Sequence, residues 1–143
     1  GLVERDIAAR IAAGESESRF VIEKQDVPEV WADPDKVGQV VGNIVENALR
    51  HGSGTVTITL IADGDRARVT VTDEGEGISA EALPRIFTKF WRDARRGGTG
   101  LGLFIAKGIV EAHGGVIEAG SADNGGAAIG FALPVGAPAH AEG

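Results

Sequence analysis

The sequence predicts an α/β (α+β) fold, a two-layer sandwich in which three main helices cover one face of a mixed, largely antiparallel sheet of about five strands. Three observations carry this prediction. Apolar residues recur at helical spacing in three long segments, two pairs of short strand-like segments are joined by glycine-containing turns, and helices and strands alternate in groups rather than singly. The 143 residues are enough for a single domain.

Three segments carry the apolar period of about 3.6 residues that is typical of a helix packed on a core. They are residues 2–13, 34–50 and 101–113. Asp33 and Pro34 mark the start of the second helix, because an aspartate caps a helix and proline suits the first helical position. Residues 80–87 are predicted to form a short fourth helix.

Five short segments are predicted to be strands. They are residues 19–23, 55–61, 66–73, 116–120 and 127–133. The link at 62–65 is short and contains glycine, so the second and third strands should form an antiparallel hairpin, and the last two should form another across a glycine turn. We expect one domain over residues 1–135, an irregular stretch at 90–98 and a flexible tail at 136–143.

The composition excludes several classes of function. The chain has no cysteine, which excludes disulfides, thiolate zinc sites and a cysteine nucleophile. Its net charge of −7 argues against nucleic acid as a partner. No apolar run approaches the roughly 18 residues of a membrane span, so no direct membrane contact is expected. The chain lacks methionine and begins with Gly1, so we expect it to be a piece of a longer protein.

The second predicted helix carries polar residues along one edge of its apolar stripe. Asn43, Asn47 and Arg50 lie within about 60° of one another on a helical wheel. Asparagine is a poor residue for a helix interior, so two of them one turn apart need a reason. Amide oxygens can ligate Mg²⁺ and arginine can bind phosphate; alternatively, all three are satisfied polar residues at the rim of the core.

Asp73 falls on the same face of its predicted strand as the apolar residues, because side chains alternate along a strand. A buried carboxylate needs donors, which either the protein's own glycine-loop amides or the amino group of a ligand such as adenine could supply. The loop that follows, with Gly75, Gly77 and Ala80, nearly matches the dinucleotide-binding fingerprint. We reject that match, because the fingerprint needs a parallel βαβ unit.

Two further segments precede the third helix. Residues 97–103 form a glycine-rich run that leads into the helix, where free N–H groups suit a phosphate; a flexible hinge is the other interpretation. Residues 87–92 hold three of the seven aromatics, either as a satellite core or as the anchor of a mobile lid. The window 85–96 has a net charge of +4, which favours a local anionic ligand or is a solvated helix face.

Taken together and in this order, these motifs resemble those of the ATP-binding catalytic domain of sensor histidine kinases. The four motifs are an N box at residues 43–51, a first glycine box at 73–78, an F box at 87–92 and a second glycine box at 98–103. The resemblance runs from about Asp33 to Pro134. It implies a Bergerat-type nucleotide fold, ATP and Mg²⁺ as cofactors, and protein histidine kinase activity.

The resemblance implies roles for the matching residues around the metal and the phosphates. Asn47 would bind Mg²⁺ with Asn43 beside it, and Arg50 would contact phosphate. The second glycine box would wrap the phosphates, and three arginines of the preceding lid could reach them. These residues are Gly98, Thr99, Gly100, Leu101 and Gly102 in the box, and Arg92, Arg95 and Arg96 in the lid.

The resemblance also implies an adenine pocket. Asp73 would accept a hydrogen bond from the adenine amino group, which agrees with its inward face. His51 stands where an aromatic residue often packs on adenine in the family. The loop residues Gly75, Gly77 and Ile78 would complete the pocket.

The chain departs from the family's pattern in three places. The lid at residues 92–97 is short, and Ala128 stands where the family often has a threonine near the adenine site. None of the three histidines, His51, His113 and His140, has the acidic neighbour expected of the phosphoacceptor. The acceptor helices are therefore expected upstream, outside this chain.

The implied function is transfer of the γ-phosphate of Mg·ATP to a histidine on a dimerisation domain of the parent protein, which then serves a response regulator. Related ATPases that hydrolyse ATP have a general-base glutamate four residues before the key asparagine, where this chain has Asn43. We expect a monomer that binds ATP without autophosphorylating, in the cytoplasmic part of a membrane-anchored parent. The alternative is a regulatory module or degenerate kinase domain that binds nucleotide without phosphotransfer.

Overall fold

The computed structural model describes residues 2–26, 30, 32–51, 53–88, 101–122 and 125–135. The helices are α1 (Leu2–Ala12), α2 (Pro34–His51) and α3 (Gly102–Ala112), and single 3₁₀ turns lie at Glu17–Arg19 and Leu83–Arg85. The strands are β1 (Phe20–Lys24), β2 (Val56–Asp63), β3 (Arg66–Thr72), β4 (Val116–Ser121) and β5 (Ala127–Pro134). Within the described residues, no helix is both long and apolar enough to cross a membrane.

The five strands form one mixed sheet in the order β1-β2-β3-β5-β4. β1 pairs with β2 in parallel, and the other three pairings are antiparallel. Both predicted hairpins are present, although β2 runs on to Asp63, so the first link is only Gly64 and Asp65. Gly64 has φ +62°, which a glycine adopts without strain. The predicted fold class is confirmed.

The hydrophobic core lies between the sheet and the helices. Alternate residues of β3 face it, and Phe131 is the largest of the fully buried side chains. The apolar stripe that the spacing predicts on α2 packs in this core: Val37 is partly buried, and the buried members are Val40, Val41, Ile44, Val45 and Ala48. α1 adds Val3 and Ile7 to the same core. Burial of this stripe fixes the rotation of α2 and therefore the direction of its polar edge.

The start of α2 is capped as predicted. Asp33 Oδ1 accepts hydrogen bonds from the backbone N–H groups of Asp35 at 2.9 Å and Lys36 at 3.4 Å. The backbone N–H of Asp33 in turn donates to Nε2 of His113, and Nδ1 of His113 lies 2.8 Å from the carbonyl oxygen of Ile109. The start of α2 is therefore tied to the end of α3.

The predicted helix at residues 80–87 is wrong. The structure has turns there and the single 3₁₀ turn Leu83–Arg85. Pro84 supplies no backbone donor, and Ser79 Oγ accepts a hydrogen bond from the N–H of Ala82 at 3.1 Å, which favours a turn. The segment is held instead by Ile86, which is 2% exposed.

The outer face of the sheet, opposite the core, carries a group of three charged residues. Arg68 of β3 contacts Asp63 through Nε at 2.9 Å and Glu118 of β4 through Nη1 at 3.3 Å. β5 lies between β3 and β4, and the register places Gly130 and Ala132 beneath this side chain. Both carboxylates raise the pKa of Arg68, chiefly through the Asp63 hydrogen bond. Arg68 is therefore an arginine shared by two carboxylates on the sheet face opposite the core.

Candidate functional site

Segments that lie far apart in sequence meet around α2. They are the loop after β3, the turn before β5, the segment after α2 and the first turn of α3. The N box residues lie on α2 and the first glycine box follows β3. The structure therefore brings two of the four sequence motifs, and the end of a third, into one region.

Asp73 lies just past β3 and is 5% exposed. Its Oδ1 accepts hydrogen bonds from the backbone N–H groups of Gly75 at 2.8 Å and Ala127 at 3.4 Å. The described residues provide no donor to Oδ2. The inward direction predicted from the strand alternation is confirmed. The protein's own amides supply part of the donors this carboxylate needs, and one oxygen is left for another partner.

The backbone around Asp73 is packed too closely for side chains. A Cβ on Gly126 would lie 2.7 Å from the carbonyl carbon of Asp73 and 3.0 Å from its Oδ1. Gly77 has φ +80°, and a Cβ there would lie 2.6 Å from the carbonyl oxygen of Gly125. The first glycine box therefore packs directly on the turn before β5, and its glycines permit that contact.

The neighbour of Asp73 in β5 is Ala127, and Ala128 lies elsewhere. Ala127 is buried; its carbonyl oxygen accepts a hydrogen bond from the backbone N–H of Asp73 at 3.1 Å, and its own N–H donates to the side-chain Oδ1 of Asp73. Ala128 is paired with Thr72, so it belongs to the outer face of the sheet. The expectation that Ala128 stands near an adenine site is therefore wrong by one position, which on a strand is the opposite face.

Two further contacts fix the loop after β3. The backbone N–H of Glu74 donates to the carbonyl oxygen of Ser53 at 2.9 Å, and Glu74 Oε1 accepts from the N–H of Thr55 at 2.5 Å. Ile78, at the end of the loop, is 7% exposed and packs in the core. The loop is thus anchored at both ends, which holds the Asp73 carboxylate in place.

Asn43 joins α2 to α3. Its Nδ2 donates to the carbonyl oxygen of Gly102 at 3.0 Å, across 59 positions of sequence. Gly102 is the first residue of α3, and Leu101 before it gives no side-chain cap. Asn47 is half-buried one turn further along α2. Asn43 therefore lies at the N-terminus of α3, where the backbone N–H groups and the helix dipole favour an anion.

Arg50 is held by Glu46 rather than standing alone. Arg50 Nε lies 2.9 Å from Glu46 Oε1, and Glu46 Oε2 lies 2.6 Å from Nη1 of Arg10 on α1. Hydrogen bonds from Arg50 and then Arg10 lower the pKa of Glu46 below its ordinary value. The pKa of Arg10 is raised by Asp6 and Glu46, although its burial opposes this. The site edge therefore carries a network of two cations and two carboxylates.

Several predicted site residues lie outside the described residues. They are Arg92, Arg95, Arg96, Gly98, Thr99 and Gly100. The backbone of His51 ends α2, and its side chain is also outside the described part. The aromatic residues Phe90 and Trp91 and the tail at 136–143 are likewise outside it. Their predicted roles stay predictions.

Sequence reasoning missed three residues of this region. Glu46 and Arg10 are paired across 36 positions, and no local pattern reports that contact. Gly126 was noted only as part of a turn. The pairing of Glu46 with Arg50 had a signal, because opposite charges four residues apart on a helix are neighbours.

The residues present fit a nucleotide and its metal. Asp73 is a buried residue whose Oδ2 has no described donor, which suits an amino group, and Gly126 places no side chain beside it. Mg²⁺ prefers oxygen ligands and usually takes most of them from phosphates and water, so an amide oxygen such as that of Asn47 is a suitable protein ligand. Arg50 supplies a cation beside them. This donor set matches adenine at one end and metal-bound phosphate at the other.

The fold and the site together define an ATP-binding domain whose helices cover one face of its sheet. The chain belongs to the family described as "Histidine kinase-, DNA gyrase B-, and HSP90-like ATPase", whose model matches residues 32–137. It is 38% identical over 136 residues to the sensor histidine kinase ZraS of Escherichia coli, which covers 94% of this chain. It is 42% identical over 114 residues to the sensor histidine kinase WalK of Bacillus subtilis, covering 73% of this chain.

Solved structures of histidine kinases are also similar to this chain. The catalytic domain of histidine kinase ThkA matches with a TM-score of 0.79 at 29% identity, over 93% of this chain and 91% of that one. Full-length ShkA, solved in complex with AMPPNP, matches with a TM-score of 0.78 at 30% identity, over 96% of this chain and 30% of ShkA. This chain is an ATP-binding catalytic domain of the protein histidine kinase class. It spans 28% of the length of ZraS and 19% of WalK.

Proposed function

We propose that this domain binds Mg·ATP and donates the γ-phosphate to a histidine on a separate dimerisation domain of its parent protein, as part of two-component signal transduction. The observation that carries the proposal is Asp73, a buried carboxylate with one oxygen held by backbone amides and the other without a described donor. The relatives are named sensor histidine kinases, and the ShkA structure contains AMPPNP, which supports the assignment.

At the adenine end, Asp73 selects the base. An adenine amino group would donate to Oδ2, whereas guanine presents a carbonyl oxygen at the same ring position and would face a carboxylate without a shared proton. Gly75 and Ala127 hold Oδ1, so the carboxylate is oriented before the nucleotide arrives. By resemblance to the family, the loop residues Gly77 and Ile78 would border the same pocket, and His51 would pack on the base.

At the phosphate end, α2 and α3 act together. Asn47 would hold Mg²⁺, which when bound offsets the charge of the phosphates. Arg50 contacts a phosphate oxygen, and Asn43 keeps the N-terminus of α3 at its side through Gly102. The glycines of the second glycine box and the arginines Arg92, Arg95 and Arg96, most of which lie outside the described residues, stay predicted contacts of the phosphates.

The chemistry is phosphoryl transfer without a general base in this chain. Asn43 occupies the position where hydrolytic relatives have a glutamate, and an amide cannot take a proton from water. The residues bind, orient and neutralise charge, while the acceptor imidazole attacks the γ-phosphorus and the bond to ADP breaks. This favours transfer to a side chain over release to water.

The acceptor domain needs a surface beside the phosphates. Phe104 is 41% exposed and Ile105 is 36% exposed, and both lie in the first turn of α3, which begins at Gly102. An exposed aromatic and an exposed aliphatic residue next to the phosphate end suit contact with an apolar helical domain. The parent is then a membrane-anchored dimer with this domain in the cytoplasm, and its phosphohistidine serves a response regulator.

The experiment is a labelling assay on the parent protein, or on its cytoplasmic part with the upstream helices, using ATP labelled in the γ-phosphate. We expect label on a histidine, lost in Asp73→Asn and Asn47→Ala and retained in Arg68→Met, which lies on the opposite face of the sheet. ATP binding without any labelled histidine would contradict the kinase proposal. That outcome would support the second candidate, a nucleotide-binding regulatory module, which the short lid at residues 92–97 favours.

A further inference from the structure

Two arginines share one carboxylate where α1 meets α2. Each of the three guanidinium nitrogens of Arg10 on α1 has an acceptor: Nε lies 2.8 Å from Asp6 Oδ2, Nη1 lies 2.6 Å from Glu46 Oε2, and Nη2 lies 2.9 Å from the carbonyl oxygen of Gly42. Its side chain is 18% exposed. Arg10 is therefore held on three sides and cannot serve a ligand itself.

Arg50 shows the opposite arrangement. Only its Nε is engaged, by Glu46 Oε1 at 2.9 Å, and its side chain is 53% exposed. Among the described residues, neither Nη1 nor Nη2 of Arg50 has a hydrogen-bond partner. The free pair of terminal nitrogens is the part of a guanidinium that binds phosphate in a fork. Glu46 thus binds the Nε of Arg50 and leaves Nη1 and Nη2 accessible to a ligand.

We propose that Arg10 is a positioning residue for phosphate binding. It holds one oxygen of Glu46, so that Glu46 binds only the Nε of Arg50 and leaves Nη1 and Nη2 available to a phosphate. The proposal rests on the proposed function, because it takes Arg50 as a phosphate contact. Without Arg10, Glu46 is free to turn both oxygens onto Arg50 and to occupy the fork as a bidentate pair.

The test compares ATP with adenosine, in the presence of Mg²⁺, by calorimetric titration of the chain and its variants. Adenosine reports the adenine pocket alone, and the ratio of the two affinities reports the phosphates. The variants are Arg10→Met, Arg50→Met, the double variant and Arg10→Lys, each checked by circular dichroism to be folded at the temperature of the titration. Arg68→Met is the matched control, because Arg68 is also shared by two carboxylates but lies on the outer face of the sheet.

We expect Arg10→Met to weaken ATP about three- to tenfold and Arg50→Met about ten- to thirtyfold, with adenosine changed less than about twofold. In the Arg50→Met background, Arg10→Met should not weaken ATP binding further, because its effect depends on Arg50. Arg10→Lys, which keeps a cation beside Glu46, should recover most of the affinity, and Arg68→Met should bind as the parent chain does.

Three results would overturn the proposal, and they are distinguishable. If Arg10→Met weakens adenosine as much as ATP, or acts equally when Arg50 is absent, Arg10 is merely structural. If Arg50→Met leaves the ratio of ATP to adenosine unchanged, Arg50 is not a phosphate contact. If the unsubstituted chain binds neither compound, the proposed function itself fails.

Discussion

The side chain of Asn43 and the backbone of Gly102 are joined by a hydrogen bond of 3.0 Å between the middle of α2 and the first residue of α3. The bond uses the nitrogen of the amide, so the oxygen is the group that Asn43 has left for a ligand or water. Asn47, one turn later, has no such tie to α3 among the described residues. The two asparagines of the N box are therefore not equivalent.

We predict that Asn43→Asp lowers the free energy of unfolding by about 1–3 kcal/mol, because a carboxylate cannot donate to the Gly102 carbonyl and repels it. Asn47→Ala should change stability by less than about 0.5 kcal/mol while abolishing measurable Mg·ATP binding. Urea unfolding and nucleotide titration of both variants check this. An equal loss of stability in the two variants would contradict the distinction.

We predict opposite effects of two Gly→Ala substitutions. Gly126→Ala should destabilise the chain by at least about 1–3 kcal/mol, because the new Cβ meets the backbone of Asp73. Gly108→Ala in α3 should stabilise it by about 0.5–1 kcal/mol, because a Cβ there meets nothing within 4 Å and alanine favours a helix. Urea midpoints measure both, and a destabilising Gly108→Ala would show that α3 is packed differently.

We predict that Glu4, which joins α1 to β1, makes a contribution to the free energy of unfolding that depends on pH. Glu4 Oε2 lies 2.7 Å from Lys24 Nζ, and this hydrogen bond is the main cause that lowers the pKa of Glu4 to about 2. A carboxylate with a lowered pKa stabilises the fold above its unfolded pKa, here 4.5, and loses that contribution as the pH falls toward 2. Both side chains are largely exposed, so the effect should be small and sensitive to salt.

The measurement is the difference in urea midpoint between the unsubstituted chain and Glu4→Gln. It should be constant from about pH 7 to about pH 5 and shrink steadily below that. Glu23→Gln on β1 is the matched control, since Glu23 has no described ion pair. A difference in urea midpoint that grows as the pH falls would contradict the lowered pKa of Glu4.

Local patterns were enough to predict most of the fold. The burial of Asp73 follows from its place after Ala67, Val69 and Val71 on one face of β3, and the start of α2 follows from Asp33 and Pro34. The helix predicted at residues 80–87 fails because a proline and a serine favour a turn over a helix. The helical spacing of the segment did not carry that information.

What the sequence could not predict depends on contacts between distant segments. The parallel pairing of β1 with β2 joins two strands that are separated in sequence by α2, and the contact of Arg10 with Glu46 joins α1 to α2 across 36 positions. Ala127 and Ala128 are alike in composition, and only the register with Thr72 and Asp73 decides which one faces the site. Such choices are made by tertiary packing rather than by residue type.

The most direct measurement of the central claim is calorimetric titration with Mg·ATP and Mg·GTP, on the chain and on Asp73→Asn. Asparagine keeps an oxygen for the N–H of Gly75 and preserves the size of the side chain, so the fold should persist. We expect that ATP binds, that GTP does not, and that Asp73→Asn weakens ATP binding by about ten- to a hundredfold. Equal binding of ATP and GTP, or unchanged ATP binding by Asp73→Asn, would contradict it.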